Sequence, residues 1–159
     1  MQWPARFESG GVLTEPGTTF QMTPVVGSRV DGPVIRLVEP LSFWGGYDST
    51  TGRITDRNHA QYGTCLTGAV IVMSATRGSS SSTSTLLESI RIGSAPTGFV
   101  LETNDPFIVV AAAAAWEIYG RGPTIVLTPT PSGLQTGMRV EINEDGRVIV
   151  LDTVAGDEH

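Results

Sequence analysis

The chain has 159 residues, 40% of them hydrophobic and 16% charged, which is the size and balance of one folded domain with a real core. The formal net charge is −6, and with no basic run or stripe a nucleic-acid-binding surface is excluded. All ten cationic side chains are arginines, and there is one cysteine, Cys65, beside two histidines; lysine chemistry, an internal disulfide framework and a self-contained zinc or iron–sulfur site are therefore excluded.

Residues 1 to about 30 are rich in turn signals (SGG, EPG, VVGSRVDGP) and predict short edge strands after an extended arm, residues 1–24. The start, MQWPARFESGG, shows no apolar signal core, and a soluble cytoplasmic protein is expected. PVIRLVEP (33–40) reads as a strand bounded by prolines. LSFWGGYDSTTGRITDRNHAQYG (41–63) reads as a long polar loop, and long loops inside compact domains are commonly functional. GAVIVM (68–73) is a short continuous apolar run, suited to a strand buried on both faces.

In TSTLLESIRIG (83–93), Thr83, Leu86, Leu87 and Ile90 share one helical face, Glu88 and Arg91 point away, and Gly93 is the stop. TGFVLE (97–102) reads as the next strand. NDPFIVVAAAAAWEIYG (104–120) begins with an Asn/Asp cap and a proline, so it reads as a second helix. Its apolar run, 107–116, is half the ~20 residues that a membrane span needs, and its five alanines predict close packing. PTIVLT (123–128) reads as a further strand, and MRVEINEDGRVIVLD (138–152) as a hairpin around EDG. The fold expected is α/β: a mixed sheet with a parallel centre, flanking antiparallel strands and two main helices.

Between the buried strand and the first helix lies SATRGSSSSTST (74–85). It has the length of an ordinary strand-to-helix connection rather than of a linker. One or two of its serines suffice to cap the helix, and capping alone leaves Arg77 unexplained. The same place offers free backbone N–H groups, the positive end of a helix dipole and the Arg77 guanidinium, which together hold an anion or favour an ionised hydroxyl. A Walker loop and a G-x-S-x-G elbow are both absent.

Three segments resemble the small, swivel-type subunit of aconitase X: EPLSFWGGYDSTTGRITDRNHAQYG (39–63), VIVMSATRGSSSSTSTLLE (70–88) and GSAPTGFVLETNDPFIVVAAAAAW (93–116). The family pattern is [LI]-S-F-x-G-G-x-D-x-x-T-G, D-x-x-H-x-x-Y-G, then G-[KR]-G-S before a helix and a G-x-A-P turn; the third reads Thr76-Arg77-Gly78-Ser79 here. It covers roughly residues 25–128 and places an aconitase-X swivel domain at 25–159. The resemblance implies a swivelling β/β/α domain of a hydro-lyase. A large-subunit partner would carry an iron–sulfur cluster or metal, and this chain would bind none.

On that resemblance Ser79 is the general base, and Arg77, Gly78 and Ser80 are substrate-binding residues. Ala75 stands where relatives often have glycine. Trp44, Asp48 and His59 are candidates for the cleft or the subunit interface, against a core position for Trp44, an Asx-turn for Asp48 (and Asp56) and a loop hydrogen bond for His59. Cys65 is expected to be a small buried hydrophobe.

The substrate implied is a small hydroxy carboxylate, with cis-3-hydroxy-L-proline, dehydrated to Δ1-pyrroline-2-carboxylate, placed first. Mevalonate 5-phosphate dehydratase is the alternative enzyme, and a non-catalytic anion-binding or scaffold module the alternative class. Dehydration beside a carboxylate needs a base for the α-proton and a Lewis acid for the departing hydroxyl; this chain offers the base alone.

Overall fold

The computed structural model describes residues 14–76, 79–129, 131 and 133–153. The strands of its main sheet are β1 (Thr19–Gln21), β2 (Thr23–Val26), β3 (Val30–Arg36), β6 (Val70–Met73), β7 (Gly98–Leu101), β8 (Thr124–Leu127), β9 (Arg139–Ile142) and β10 (Arg147–Asp152). A small hairpin, β4 (Tyr47–Asp48) with β5 (Arg53–Ile54), interrupts the segment between β3 and β6. Two helices, α1 (Ser80–Ile92) and α2 (Pro106–Tyr119), follow β6 and β7.

The sheet runs β1-β10-β9-β3-β6-β7-β8-β2, with β3, β6, β7 and β8 parallel and the outer pairs antiparallel. The two N-terminal strands are short edge strands, as the turn-rich start predicts; they sit at opposite edges, and β1 and the start of β2 fall within residues 1–24, the stretch read as an arm. Met22 alone separates them, so the two ends of the sheet must curl toward each other. The strand read at 33–40 begins earlier, at Val30, and contains Pro33. Pro33 is tolerated because β3 changes partner there: residues 30–33 pair with β9, and 34–36 with β6 on the other side.

Strand alternation produces two cores. Val70, Val72, Val100 and Val126 face β9 and β10, where Val140, Ile142, Val148 and Val150 meet them. Ile71, Met73, Phe99, Leu101 and Ile125 face the helices. The layers are therefore β/β/α, and the continuous apolar run of β6 is buried on both faces as its composition requires.

The helical period of α1 holds: Leu86 and Ile90 are buried, Thr83 and Leu87 half-buried, and Glu88 pairs with Arg91 at 2.7 Å on the outside. The helix starts three residues earlier than its period suggests, at Ser80, and ends on left-handed Gly93 (φ 90°), which a side chain would strain. In α2, Ala111, Ala112 and Ala115 are fully buried, which lets α1 approach closely. No helix among the described residues is long and apolar enough to cross a membrane.

Two expectations change. The segment 41–63 is polar in composition, yet Leu41, Phe43, Tyr47 and Ile54 are buried in the helix-side core, with Phe43 edge-on to Tyr47 and Phe99. It is a packed cover over the sheet rather than a free loop. Cys65 is only half-buried; its Sγ lies 3.4 Å from Thr67 Oγ1, and hydrogen bonding from Thr67 lowers its pKa.

Candidate active site

Because α1 and α2 each follow a parallel strand, both begin at the carboxyl end of the sheet, where open α/β sheets bind ligands. Their positive ends are brought together there. Thr83 Oγ1 donates to the Phe107 carbonyl at 2.9 Å, tying the first turns of the two helices. The backbone N–H groups of Glu102 and Thr103 donate to the Ser74 carbonyl at 3.2 and 3.0 Å, stitching the two preceding loops. A cleft of about 190 Å³ opens between them, lined by Ala75 and Thr76 on one side and residues 103–107 on the other.

Ser79 is the N-cap of α1, in extended backbone (φ −152°, ψ 167°), and its carbonyl accepts from Ser82 N–H at 2.9 Å. Its hydroxyl makes no capping bond. It is also shielded from solvent and has no partner. Ser80 is the first residue of α1 and is exposed. Arg77 and Gly78, read as substrate-binding, lie outside the described residues.

Asp105 caps α2, with Oδ1 accepting from Phe107 N–H at 2.8 Å and Pro106 at the first helical position. It is 7% exposed, and its other oxygen, Oδ2, has no hydrogen bond. Thr76 Oγ1 and Ser82 Oγ are also shielded and unpartnered. The Asn/Asp cap read from the NDP signature is Asp105; the free second oxygen, the buried Ser82 and the shielded Thr76 hydroxyl were not foreseen, and no spacing rule marks them.

Trp44 is 62% exposed, so the core reading of this residue fails. With Asp48 and Thr85 of α1 it borders a shallow surface hollow. Asp48 Oδ1 accepts from Thr50 N–H at 2.8 Å and Asp56 Oδ1 from Asn58 N–H at 2.9 Å, the two Asx-turns expected.

His59 is 3% exposed. Its Nδ1 accepts from Gln61 N–H at 3.0 Å, and its Nε2 faces the Glu39 carbonyl at 3.2 Å. A carbonyl only accepts, so Nε2 carries the proton and the ring is neutral. Both nitrogens are thereby used inside the loop, which is the loop hydrogen bond the sequence suggests.

Tyr47 anchors the cover to α1, with its hydroxyl 2.6 Å from Ser89 Oγ and 3.2 Å from the Ser94 carbonyl. Burial raises its pKa. The described residues contain no group of three or more His, Cys, Asp or Glu able to hold a metal. They do not fit an iron–sulfur cluster or metal centre.

The fold and this edge define an α/β domain that presents a serine-bearing loop at the head of a helix. The family model for the aconitase X swivel domain matches residues 19–151, and the chain belongs to that family. It is similar to a cis-3-hydroxy-L-proline dehydratase of Hypocrea jecorina, 29% identical over an alignment of 155 positions that covers 86% of this chain and 26% of that protein. A phosphomevalonate dehydratase small subunit of Pyrococcus horikoshii is 33% identical over 123 residues, covering 77% of this chain and 87% of that one. Among solved structures, aconitase X of Thermococcus kodakaraensis in its holo form superposes with a TM-score of 0.76 at 27% identity, over 86% of this chain and all of the matched one. The chain thus spans about a quarter of one relative and most of another.

Proposed function

We propose that this chain is the swivel component of an aconitase-X-type hydro-lyase, and that Ser79 is the general base that removes the α-proton of a hydroxy acid. The observation that carries this reading is the Ser79 hydroxyl: it occupies an N-cap position, makes no capping bond and has no other partner. A cap residue that does not cap is available for chemistry. Two helix N-termini meet at this end of the sheet, the start of α2 lining the cleft itself, and positive helix ends stabilise negative charge on a serine oxygen or on a substrate carboxylate. Arg77 and Gly78 match the two middle positions of the G-[KR]-G-S pattern, whose first glycine is Thr76 here, and are assigned to substrate binding, with Ser80 beside them.

The large-subunit partner supplies the iron–sulfur cluster or metal, whose part is that of Lewis acid for the departing hydroxyl. Exposed Val38, just before the cover segment, and exposed Trp44 and Tyr62 on it suit contact with that partner.

The substrate we place first is cis-3-hydroxy-L-proline. The similarity to cis-3-hydroxy-L-proline dehydratases supports this order. The similarity to archaeal phosphomevalonate dehydratase small subunits along most of their length favours mevalonate 5-phosphate as the second reading. Anaerobic assay of the assembled enzyme with both compounds tests the assignment. Turnover of the hydroxyproline is expected; turnover of the phosphorylated acid alone replaces the first reading with the second, and turnover of neither overturns both.

A further inference from the structure

Thr76 Oγ1, Ser79 Oγ, Ser82 Oγ and Asp105 Oδ2 are shielded from solvent, without hydrogen bonds, and gathered at one end of the sheet. Shielded polar atoms without partners cost stability, so four in one place call for a physical reason. The buried hydroxyls of Tyr47, Ser89 and Ser94, further along α1, are all bonded to one another or to carbonyls.

The four atoms are chemically complementary. Each hydroxyl can donate and accept, whereas a carboxylate oxygen only accepts. Ser79 and Ser82 stand at the N-cap and third positions of α1, the two positions that a capping box brings together. Ser82 is 1% exposed, facing inward. The neighbouring Thr83 is bonded to Phe107, two residues after Asp105, so the α2 cap adjoins the first turn of α1. Asp105 Oδ1 is fixed by Phe107 N–H, which leaves Oδ2 as the acceptor without a donor.

We propose that Asp105 is a positioning residue for Ser79, acting through Ser82. In the engaged enzyme the Ser82 hydroxyl donates to Asp105 Oδ2 and accepts from the Ser79 hydroxyl. The Ser79 proton then points into the domain and its lone pairs point toward the substrate; as the oxygen takes the α-proton, its own proton passes to Ser82 and the Ser82 proton to Asp105 Oδ2, so the serine ends neutral and the carboxylate protonated. An amide at 105 reverses the chain. Its oxygen keeps the Phe107 cap, its NH2 donates to Ser82, and Ser82 donates to Ser79, turning a Ser79 lone pair inward. This inference rests on the general-base reading of Ser79 above.

The test uses the assembled enzyme with Asp105→Asn, Asp105→Ser, Ser82→Ala and the double variant Asp105→Asn/Ser82→Ala. Asn and Ser both retain an N-cap acceptor. Each single change is expected to lower kcat about 10- to 100-fold, with KM within about threefold and the unfolding temperature within about 2 °C. The double variant should be no slower than the slower single one.

Wild-type kcat in Asp105→Asn overturns the proposal and leaves Asp105 a cap. So does a loss of kcat that tracks a fall in unfolding temperature, or effects that multiply in the double variant. If the wild-type enzyme dehydrates neither substrate, the dehydratase reading fails and the pairing is judged by carbon-13 titration of the Asp105 carboxyl in the assembled enzyme. An upward move of that titration in Ser82→Ala supports the pairing; an unmoved titration overturns it.

Discussion

The two crossovers at the carboxyl end of the sheet are built alike and finished differently. Each leaves a buried parallel strand, turns within a few residues and enters a helix through an extended polar residue. In the second, Asp105 closes the helix start in the ordinary way, with its side chain on Phe107 N–H. In the first, Ser79 occupies the same position and leaves the helix start open. The same backbone design therefore yields a structural cap in one loop and an uncommitted hydroxyl in the other. The one-sided capping is the structural difference on which the proposed role of Ser79 rests.

Substitution at the two caps is the sharpest way to break that contrast. Ser79→Ala should lower turnover of the assembled enzyme by about 10²- to 10⁴-fold, the range for loss of a positioned base. Its unfolding temperature should not fall, since no capping bond is removed; steady-state kinetics beside calorimetry checks both. Asp105→Ala should cost about 1 kcal/mol through the lost cap, lowering the unfolding midpoint by about 2–4 °C for a domain of this size, and Asp105→Ser should restore it. Equal destabilisation at 79 and 105 would erase the distinction.

Tyr47→Phe sharpens the comparison from the other end of α1, where hydroxyls are fully bonded. Loss of the Ser89 and Ser94 contacts should destabilise by about 1–2 kcal/mol, measured by denaturant titration, without changing kcat. The smallest effect is expected at the exposed Glu88–Arg91 pair: Glu88→Ala should leave the unfolding midpoint unchanged within error.

Much of this arrangement is legible in the sequence, and for stated reasons. Residues 70–73 are apolar on both faces because both faces are covered, and α1 shows its period because only one of its faces is buried. Gly93 and the NDP start mark real helix ends. The family resemblance at G-[KR]-G-S singles out Ser79.

The rest depends on tertiary proximity. The 41–63 segment looks like a polar loop because its anchors, Leu41, Phe43, Tyr47 and Ile54, are spaced by turns rather than by a helical or strand period. Pro33 reads as a boundary because the change of partner that accommodates it is not local. Ser82 and Asp105 are 23 residues apart in sequence, and the helix starts that carry them adjoin only because two parallel strands are neighbours.

The central claim is that the unbonded Ser79 hydroxyl is the base of a dehydration completed by a large subunit. The most direct measurement is anaerobic turnover of cis-3-hydroxy-L-proline by the enzyme assembled with its large subunit, wild type against Ser79→Ala, with assembly verified by size. Dehydration by the wild type and its loss in an intact Ser79→Ala complex is the predicted result. Near-wild-type turnover in Ser79→Ala would contradict it.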